Sequence, residues 1–464
     1  MNINRSVMRF FVLVFCLVPL VLNAQTRVPD SRAEISLSFA PLVRQAAPAV
    51  VNIYATFVAE SRQRTPFMND PFFQRFFEGF SQPEPRVQNS LGSGVILSAD
   101  GIVVSNYHVV GQATDIRVVL NDRREYSARV LLGDPDSDLA ILQLEGVDDL
   151  PFLPLRDSDT VEVGELVLAI GNPFGVGQTV SSGIVSGLAR SGGANGGGLG
   201  YFIQTDAPIN PGNSGGALID MAGALIGVNT RILSRSGGSN GIGFAIPSDL
   251  IAAFVRQAKA GNDHFVRPWA GATGQAVDAD MAQMLDMDRP GGIILAGLHP
   301  ASPLARAGFE VGDVVLAVDG ADVNSPGEML FRMSMAGETN SATMTRLRDG
   351  AETDLTVVMM PPPEDPPRGA ITLGDDASLP GLTVARSNPA VISELRLPLV
   401  TEGVVVTELG ALGGRVGLRV GDILVTIDSQ AIETPQDAAD ALSVARRGTW
   451  VEARRQGARV RLRF

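Results

Sequence analysis

The 464-residue chain reads as mainly β, with a double β-barrel domain followed by two smaller α+β modules. Three observations predict this. From about residue 90 to 250 the apolar runs are short and separated by glycine-rich breaks, the pattern of many short strands. The helix-like run SDLIAAFVRQAKAG then closes that region. Beyond it the chain repeats itself, since AGFEVGDVVLAVDG (307–320) aligns with VGLRVGDILVTIDS (416–429), pairing Gly308 with Gly417, Gly312 with Gly421, Asp313 with Asp422 and Asp319 with Asp428. GIILAGL (292–298) likewise mirrors GVVVTEL (403–409). A duplicated unit of this kind marks a repeated module, and the total length suits about three domains.

The first 24 residues have the layout of a secretory signal peptide: Arg5 and Arg9, an apolar core interrupted by Pro19, then Ala24 at a cleavage position. The apolar run is short for a membrane span. Cys16 lies inside it and is the only cysteine, so the mature chain offers no disulfide, thiolate nucleophile or cysteine metal site. The formal net charge of −13 becomes more negative once Arg5 and Arg9 are removed, which argues against nucleic acid as a partner.

AVVNIYATFV (49–58) reads as the first barrel strand. FMNDPFFQRFFEGFSQPEP (67–85) is rich in phenylalanine and broken by prolines, a sticky loop unless it is covered. VILSADGIVVS reads as two strands joined at Asp100-Gly101, which sets His108 in SNYHVV just past a rigid hairpin. Asp138 immediately precedes the apolar run Leu139 to Leu144, whereas Asp134 and Asp136 flank Pro135 and read as turn residues. SGGANGGGLG (191–200) is too rich in glycine to hold one conformation by itself.

NPGNSGGALI (210–219) places Ser214 in a glycine-dense turn. A serine hydroxyl needs a base to take its proton and donors to hold the oxyanion that forms. Glycines at 212, 215 and 216 allow dihedrals that would point the N–H groups of Gly212 and Ser214 into one hole, with Asn213 shaping the turn. Of three histidines, His264 and His299 lie downstream, which leaves His108 as the base and Asp138 as the group that orients it. The order His108, Asp138, Ser214 is that of chymotrypsin-type double barrels and of neither subtilisins nor α/β-hydrolases. The sole lysine, Lys259, lies beyond the catalytic region. No metal-ligand cluster or phosphate-binding loop is evident, so neither cofactor nor metal is expected.

LGSGVI (91–96), SNYHVV (105–110), DSDLAIL (136–142), GNPFG (171–175), TDAPINPGNSGGALI (205–219) and GIGFAIPS (241–248) together resemble the HtrA (Deg) family of serine proteases. The resemblance implies a trypsin-like double β-barrel followed by two PDZ domains, with a role in ATP-independent protein quality control. It implies that Ile209 and Leu233 wall the substrate pocket; both are aliphatic, so cleavage after small or medium apolar residues is expected. The first module would bind peptides at Trp269, Ala270, Gly271 and Ala272, although Ala270 stands where a larger aliphatic is usual. The second lacks a clear carboxylate-binding loop. The expected domains are a signal peptide (1–24), a trypsin-like protease domain (25–258), a first PDZ domain (264–362), a proline-rich linker (363–370) that acts as a semi-rigid spacer, and a second PDZ domain (371–464).

The function this implies is an ATP-independent serine endopeptidase that degrades unfolded or misfolded exported proteins, with chaperone activity beside it. Its partners would be unfolded polypeptides and peptide C-termini, and copies of itself in a trimer or multiples of one. Peripheral membrane association and a periplasmic location are further expectations. The rival readings are a chaperone or PDZ scaffold with an idle protease site, and a hydrolase of small esters, which the peptide-binding modules disfavour.

Overall fold

The computed structural model describes residues 38–58, 87–172, 177–188, 201–210, 212–232, 239–336, 341–446 and 448–463. The expected signal peptide, the phenylalanine-rich stretch, the glycine-rich 191–200 and Leu233 lie outside these residues.

Six strands close the first barrel: β1 (Val50–Val58), β2 (Val87–Ile96), β3 (Ile102–Ser105), β4 (Asp115–Val119), β5 (Glu125–Asp134) and β6 (Leu139–Leu144). Their order is β1-β2-β3-β6-β5-β4, with β4 returning to β1 through pairs such as Ala55 with Ile116. Closure leaves no free sheet edge, and Ile53, Val95, Val103, Leu132 and Ile141 fill the interior without solvent contact. Between β3 and β4 the chain makes one helical turn, α1 (Tyr107–Val110), that carries His108.

The second barrel repeats the plan with β7 (Leu166–Gly171), β8 (Thr179–Gly187), β9 (Ile203–Thr205), β10 (Ala217–Ile219), β11 (Leu225–Ile232) and β12 (Gly243–Pro247), ordered β10-β11-β12-β9-β8-β7. Val167, Val185, Ile203, Leu218, Ile226 and Ala245 form its core. Helix α2 (Ser248–Lys259) follows, burying Leu250, Ile251 and Phe254 on one face and stacking Phe254 on Phe265 at 4.1 Å. Amphipathic spacing of this kind makes the packed face, not the sequence's intrinsic helix propensity, the main source of helix stability.

The duplicated modules fold alike. The first is a sheet ordered β13 (Ala272–Ala276), β14 (Ile293–Leu298), β15 (Val314–Val318), β17 (Ser341–Arg348), β18 (Ala351–Val358), with β16 (Ala321–Asp322) on β15 and helix α3 (Pro326–Met335) beside it. The second has β19 (Ile371–Thr372), β20 (Leu382–Arg386), β21 (Val404–Leu409), β22 (Ile423–Ile427), β24 (Trp450–Arg455) and β25 (Ala458–Arg463), with β23 (Gln430–Ala431) on β22 and helix α4 (Pro435–Val444). The repeated aspartates now have a physical reason. Asp313 and Asp422 are 2% and 0% exposed, and each carboxylate takes a two-pronged arginine: Arg348 at 2.5 and 2.7 Å, Arg455 at 2.7 and 2.8 Å. Burial pushes the Asp313 carboxyl upward, but the Arg348 guanidinium outweighs it and holds the group below its usual range. Asp319 and Asp428 accept a backbone N–H from the neighbouring strand, Thr343 at 2.7 Å and Trp450 at 2.8 Å.

The proline-rich stretch is held by the second module: Asn388 donates to the Glu364 carboxylate and to the Pro366 carbonyl, both at 2.8 Å, and the Arg386 N–H donates to Arg368. Its lack of regular structure reflects proline's missing donor, while acceptors on both sides of the prolines tie it to the second module. Asp134, expected in a turn, ends strand β5 and is 6% exposed. A carboxylate so buried needs partners, and Arg267 supplies them. The first module rests against the peptidase domain through Phe331, whose ring stacks on Tyr201 at 4.1 Å, and Arg332, which bonds Asp159 and the Tyr201 hydroxyl.

Candidate active site

Asp138 follows β5 by four residues and has φ +54, a left-handed conformation that is uncommon for residues with a Cβ and best tolerated by Asn and Asp. Its carbonyl accepts from the Tyr107 N–H at 3.1 Å and the Asn106 side chain at 3.0 Å, which ties the turn to the start of α1. The His108 N–H donates to Asp138 Oδ1 at 3.0 Å, and His108 Nδ1 lies 2.9 Å from both carboxylate oxygens. The carboxylate therefore fixes the ring by two routes, and the imidazole's Nδ1 carries the proton toward it.

Asp138 is 3% exposed. Burial raises its pKa, but the charge and hydrogen bonds of His108 and the hydroxyl of Thr230 together hold it below the ordinary aspartate value. It is ionised at neutral pH, as a group that orients an imidazole requires. Thr230, on β11, donates its hydroxyl to Asp138 Oδ2 at 2.6 Å, while its backbone carbonyl accepts the Ser214 hydroxyl at 3.2 Å. One residue thus touches both the aspartate and the serine.

The turn bearing Ser214 is held from both barrels. Ser93, on β2, donates its N–H to the Ser214 carbonyl at 2.9 Å and its hydroxyl to the Gly212 carbonyl at 2.6 Å, and its hydroxyl accepts from Asn172 at 2.9 Å. Gly215 has φ +82 and lies so close that a Cβ there would sit 2.0 Å from the Ser93 carbonyl oxygen. The Asn213 carboxamide accepts from the Thr179 hydroxyl at 3.0 Å. The N–H groups of Asn213, Gly215 and Gly216 are bonded to Asn210, Asn229 and Asn213. Those of Gly212 and Ser214 donate to no acceptor among the described residues. Buried N–H groups normally find partners; two left over beside a serine have the chemistry to receive an acceptor from outside the described residues.

Of the expected pocket walls, Ile209 is 1% exposed and packs in the second barrel's core, with its Cδ1 against Gly243. In the first module Trp269 is 7% exposed, edge-on to His299 at 5.3 Å, and Ala270 belongs to the core. Gly271 has φ +59, and Ala272 opens β13. The Ser302 hydroxyl holds the Ala270 carbonyl at 2.7 Å. Burial lowers the His299 pKa. Ser93, Thr230 and Arg267 were invisible to sequence reasoning: each acts through a partner 80 or more positions away, and only Ser93 fell within a recognised motif.

Family models match on the same ground. A trypsin-like peptidase domain covers residues 92–228, and PDZ domains cover 274–359 and 404–455. A probable periplasmic serine endoprotease DegP-like from Halomonas elongata is 37% identical over 87% of each chain. The chain belongs to the HtrA (Deg) family of serine endoproteases. The periplasmic pH-dependent serine endoprotease DegQ of Escherichia coli is 35% identical over 86% of this chain and 84% of its own. Among solved structures, the HtrA-type protease AlgW with a decapeptide is 40% identical, covering 70% of this chain and all of that one, at a TM-score of 0.51. This HtrA protein is a serine endoprotease: mainly β, with a double-barrel peptidase domain and two PDZ domains.

Proposed function

We propose that this HtrA protein cleaves unfolded or misfolded exported polypeptides in the periplasm without ATP. His108 takes the Ser214 proton, Ser214 attacks the scissile carbonyl, and the acyl-enzyme is released by water that His108 activates in turn. Asp138 holds the imidazole tautomer and faces the positive charge the ring acquires. The Gly212 and Ser214 N–H groups bind the oxyanion, with Asn213 holding the turn. The observation that carries this reading is the Asp138 carboxylate lying 2.9 Å from His108 Nδ1. Thr230 ties that carboxylate to the serine.

The substrate reading rests on the relatives' names, which describe periplasmic endoproteases, and on the two PDZ domains. The residues around Trp269–Ala272 take peptide C-termini. A signal peptide ending at Ala24 delivers the chain, and the domain limits follow the sequence reading, with the protease domain to 258 and the PDZ domains at 264–362 and 371–464. The protein assembles as a homo-oligomer, holds unfolded clients and serves protein quality control.

The test is gel-followed loss of a permanently unfolded protein by the purified mature enzyme and its Ser214→Ala variant, without ATP and with a chelator present. Degradation by the wild type alone is expected. Equal loss with both proteins overturns the assignment of Ser214; if neither degrades it, a peptide with an apolar C-terminus is added, and continued silence overturns the protease reading in favour of a chaperone or scaffold.

A further inference from the structure

The strand that carries Thr230 continues past the nucleophile with one edge open. On its β10 side, β11 is paired as far as Asn229, whose carbonyl accepts the Gly215 N–H at 2.8 Å and whose N–H donates to the Gly216 carbonyl at 2.9 Å. Thr230 then offers its carbonyl to the Ser214 hydroxyl. Arg231 and Ile232 pair on the other side with Phe244 and Gly243 of β12, and no described residue forms a ladder with them on the serine side. An open strand edge beside a nucleophile is a place where an extended peptide can add as a further strand. Every strand pair in this barrel is antiparallel, so a chain added in the same manner runs opposite to β11. With the residue under attack across from Thr230, the residue before it lies across from Arg231. Side chains two apart on an extended chain share a face and stay within reach of a long side chain on the neighbouring strand.

What stands at that place is a guanidinium without a carboxylate. Arg231 is half-buried and lies over the Phe202 ring, 4.6 Å from its centroid. Phe202 is itself buried and meets Phe244 edge-on at 6.0 Å, so the ring is a fixed support. A ring beneath a guanidinium holds it while leaving its N–H fork available for a carboxylate. Among the described residues Arg231 forms no ion pair and no side-chain hydrogen bond. The sequence leading into Phe202 (189–200) and out of β11 (233–238) contains Arg190 and Arg235 and no Asp or Glu. We propose that Arg231 determines specificity in peptide hydrolysis: it recognises an Asp or Glu side chain at the second or fourth residue before the scissile bond. The proposal rests on the Ser214 assignment above and names a substrate class for that same site. The general field of the protein would not produce such a preference, since a chain with a net charge of −13 repels acidic peptides as a whole.

The experiment uses the full mature chain and quenched fluorescent peptides that share one apolar residue directly before the scissile bond. They differ by a single Glu or Gln at the second, third or fourth residue before that bond. Wild type, Arg231→Met and Arg231→Glu are compared through the ratio of kcat/KM for each Glu peptide to that for its Gln partner, so that a general loss of rate in a variant cancels. Arg231→Met keeps an apolar stem over Phe202 and removes the charge; thermal melts follow folding. In wild type the Glu peptide should be favoured about 5-fold at the second or fourth residue, the equivalent of a good cross-strand charge pair. At the third residue, whose side chain points to the other face, no preference is expected. The preference should vanish in Arg231→Met, invert in Arg231→Glu, and weaken in wild type as salt is raised. No wild-type preference at either position, an equal preference at the third, or a preference that survives in Arg231→Met overturns the proposal. Should Arg231→Met fail to fold, the wild-type ratios at the three positions and their salt dependence decide. A Ser214→Ala control that hydrolyses the peptides as fast as wild type overturns the assignment of Ser214 instead.

Discussion

Thr230 shows how much of this site depends on one hydroxyl. Its oxygen lies 2.6 Å from Asp138 Oδ2, and a hydrogen bond to a buried charge is worth roughly 1.5–3 kcal/mol. Thr230→Val keeps the shape of the side chain and its backbone carbonyl, so it removes that donor alone. We expect kcat to fall about 10-fold, the rate equivalent of the lower figure, and the melting temperature to fall by a few degrees, because the same bond stabilises the folded state; steady-state kinetics on a short peptide and a thermal melt would check it. Asp138 itself makes a pH prediction. Its folded-state pKa lies below the ordinary value, so it contributes stability that is fully present above the unfolded aspartate pKa and is lost as pH falls through the folded one. An Asp138→Asn variant should therefore show a flatter acid limb when the peptidase melting temperature is followed from neutral pH downward. At this scale the sequence was legible where chemistry demands a rare residue. Three histidines narrow the base to one, and a glycine-flanked serine points to itself. Thr230 and Ser93 were not legible, because threonine and serine are common and their roles exist only once two distant strands meet.

At the scale of the element, the repeated β-α modules show why the duplicated motif keeps its aspartates. Asp422 is fully buried, and the Arg455 fork is the charge that compensates it. The sequence aligned Asp313 with Asp422 but could not say what either did, since the arginine partner lies two strands further on. Removing one member of a buried pair is worse than never having had the pair, because the remaining charge stays out of water. Arg455→Ala should destabilise the second PDZ domain by about 3 kcal/mol or more, and a variant with Asp422→Asn and Arg455→Met should recover much of that loss. Denaturant titration of the two variants, followed by the Trp450 fluorescence, separates these outcomes. The strands themselves were easy to foresee from their apolar runs. The short helix α1 was not, because its four residues are set by the Asp138 turn that receives them and not by any propensity of their own.

Across the whole molecule, the question is what holds the first PDZ domain against the peptidase domain, the ring stack or the ion pair. Asp159 is 46% exposed at its side chain, and an ion pair that wet contributes at most about 1 kcal/mol. Tyr201 is 9% exposed, stacks on Phe331 at 4.1 Å and carries the Arg332 guanidinium over its face at 5.2 Å. Its burial is worth about 1.5–3 kcal/mol, and the stacking adds roughly 0.5–1.5 kcal/mol beyond that. The ring therefore dominates. Tyr201→Ala should loosen the contact more than Asp159→Asn does, although the second removes a full charge. In a Ser214→Ala background, which prevents self-cleavage, small-angle scattering should show a larger radius of gyration for Tyr201→Ala. An added protease should cut that variant faster between α2 and β13. If Asp159→Asn opens the molecule as far as Tyr201→Ala, the ion pair governs the contact, and salt should then loosen the wild type by screening it. If the ring governs it, moderate salt should leave the wild-type scattering unchanged.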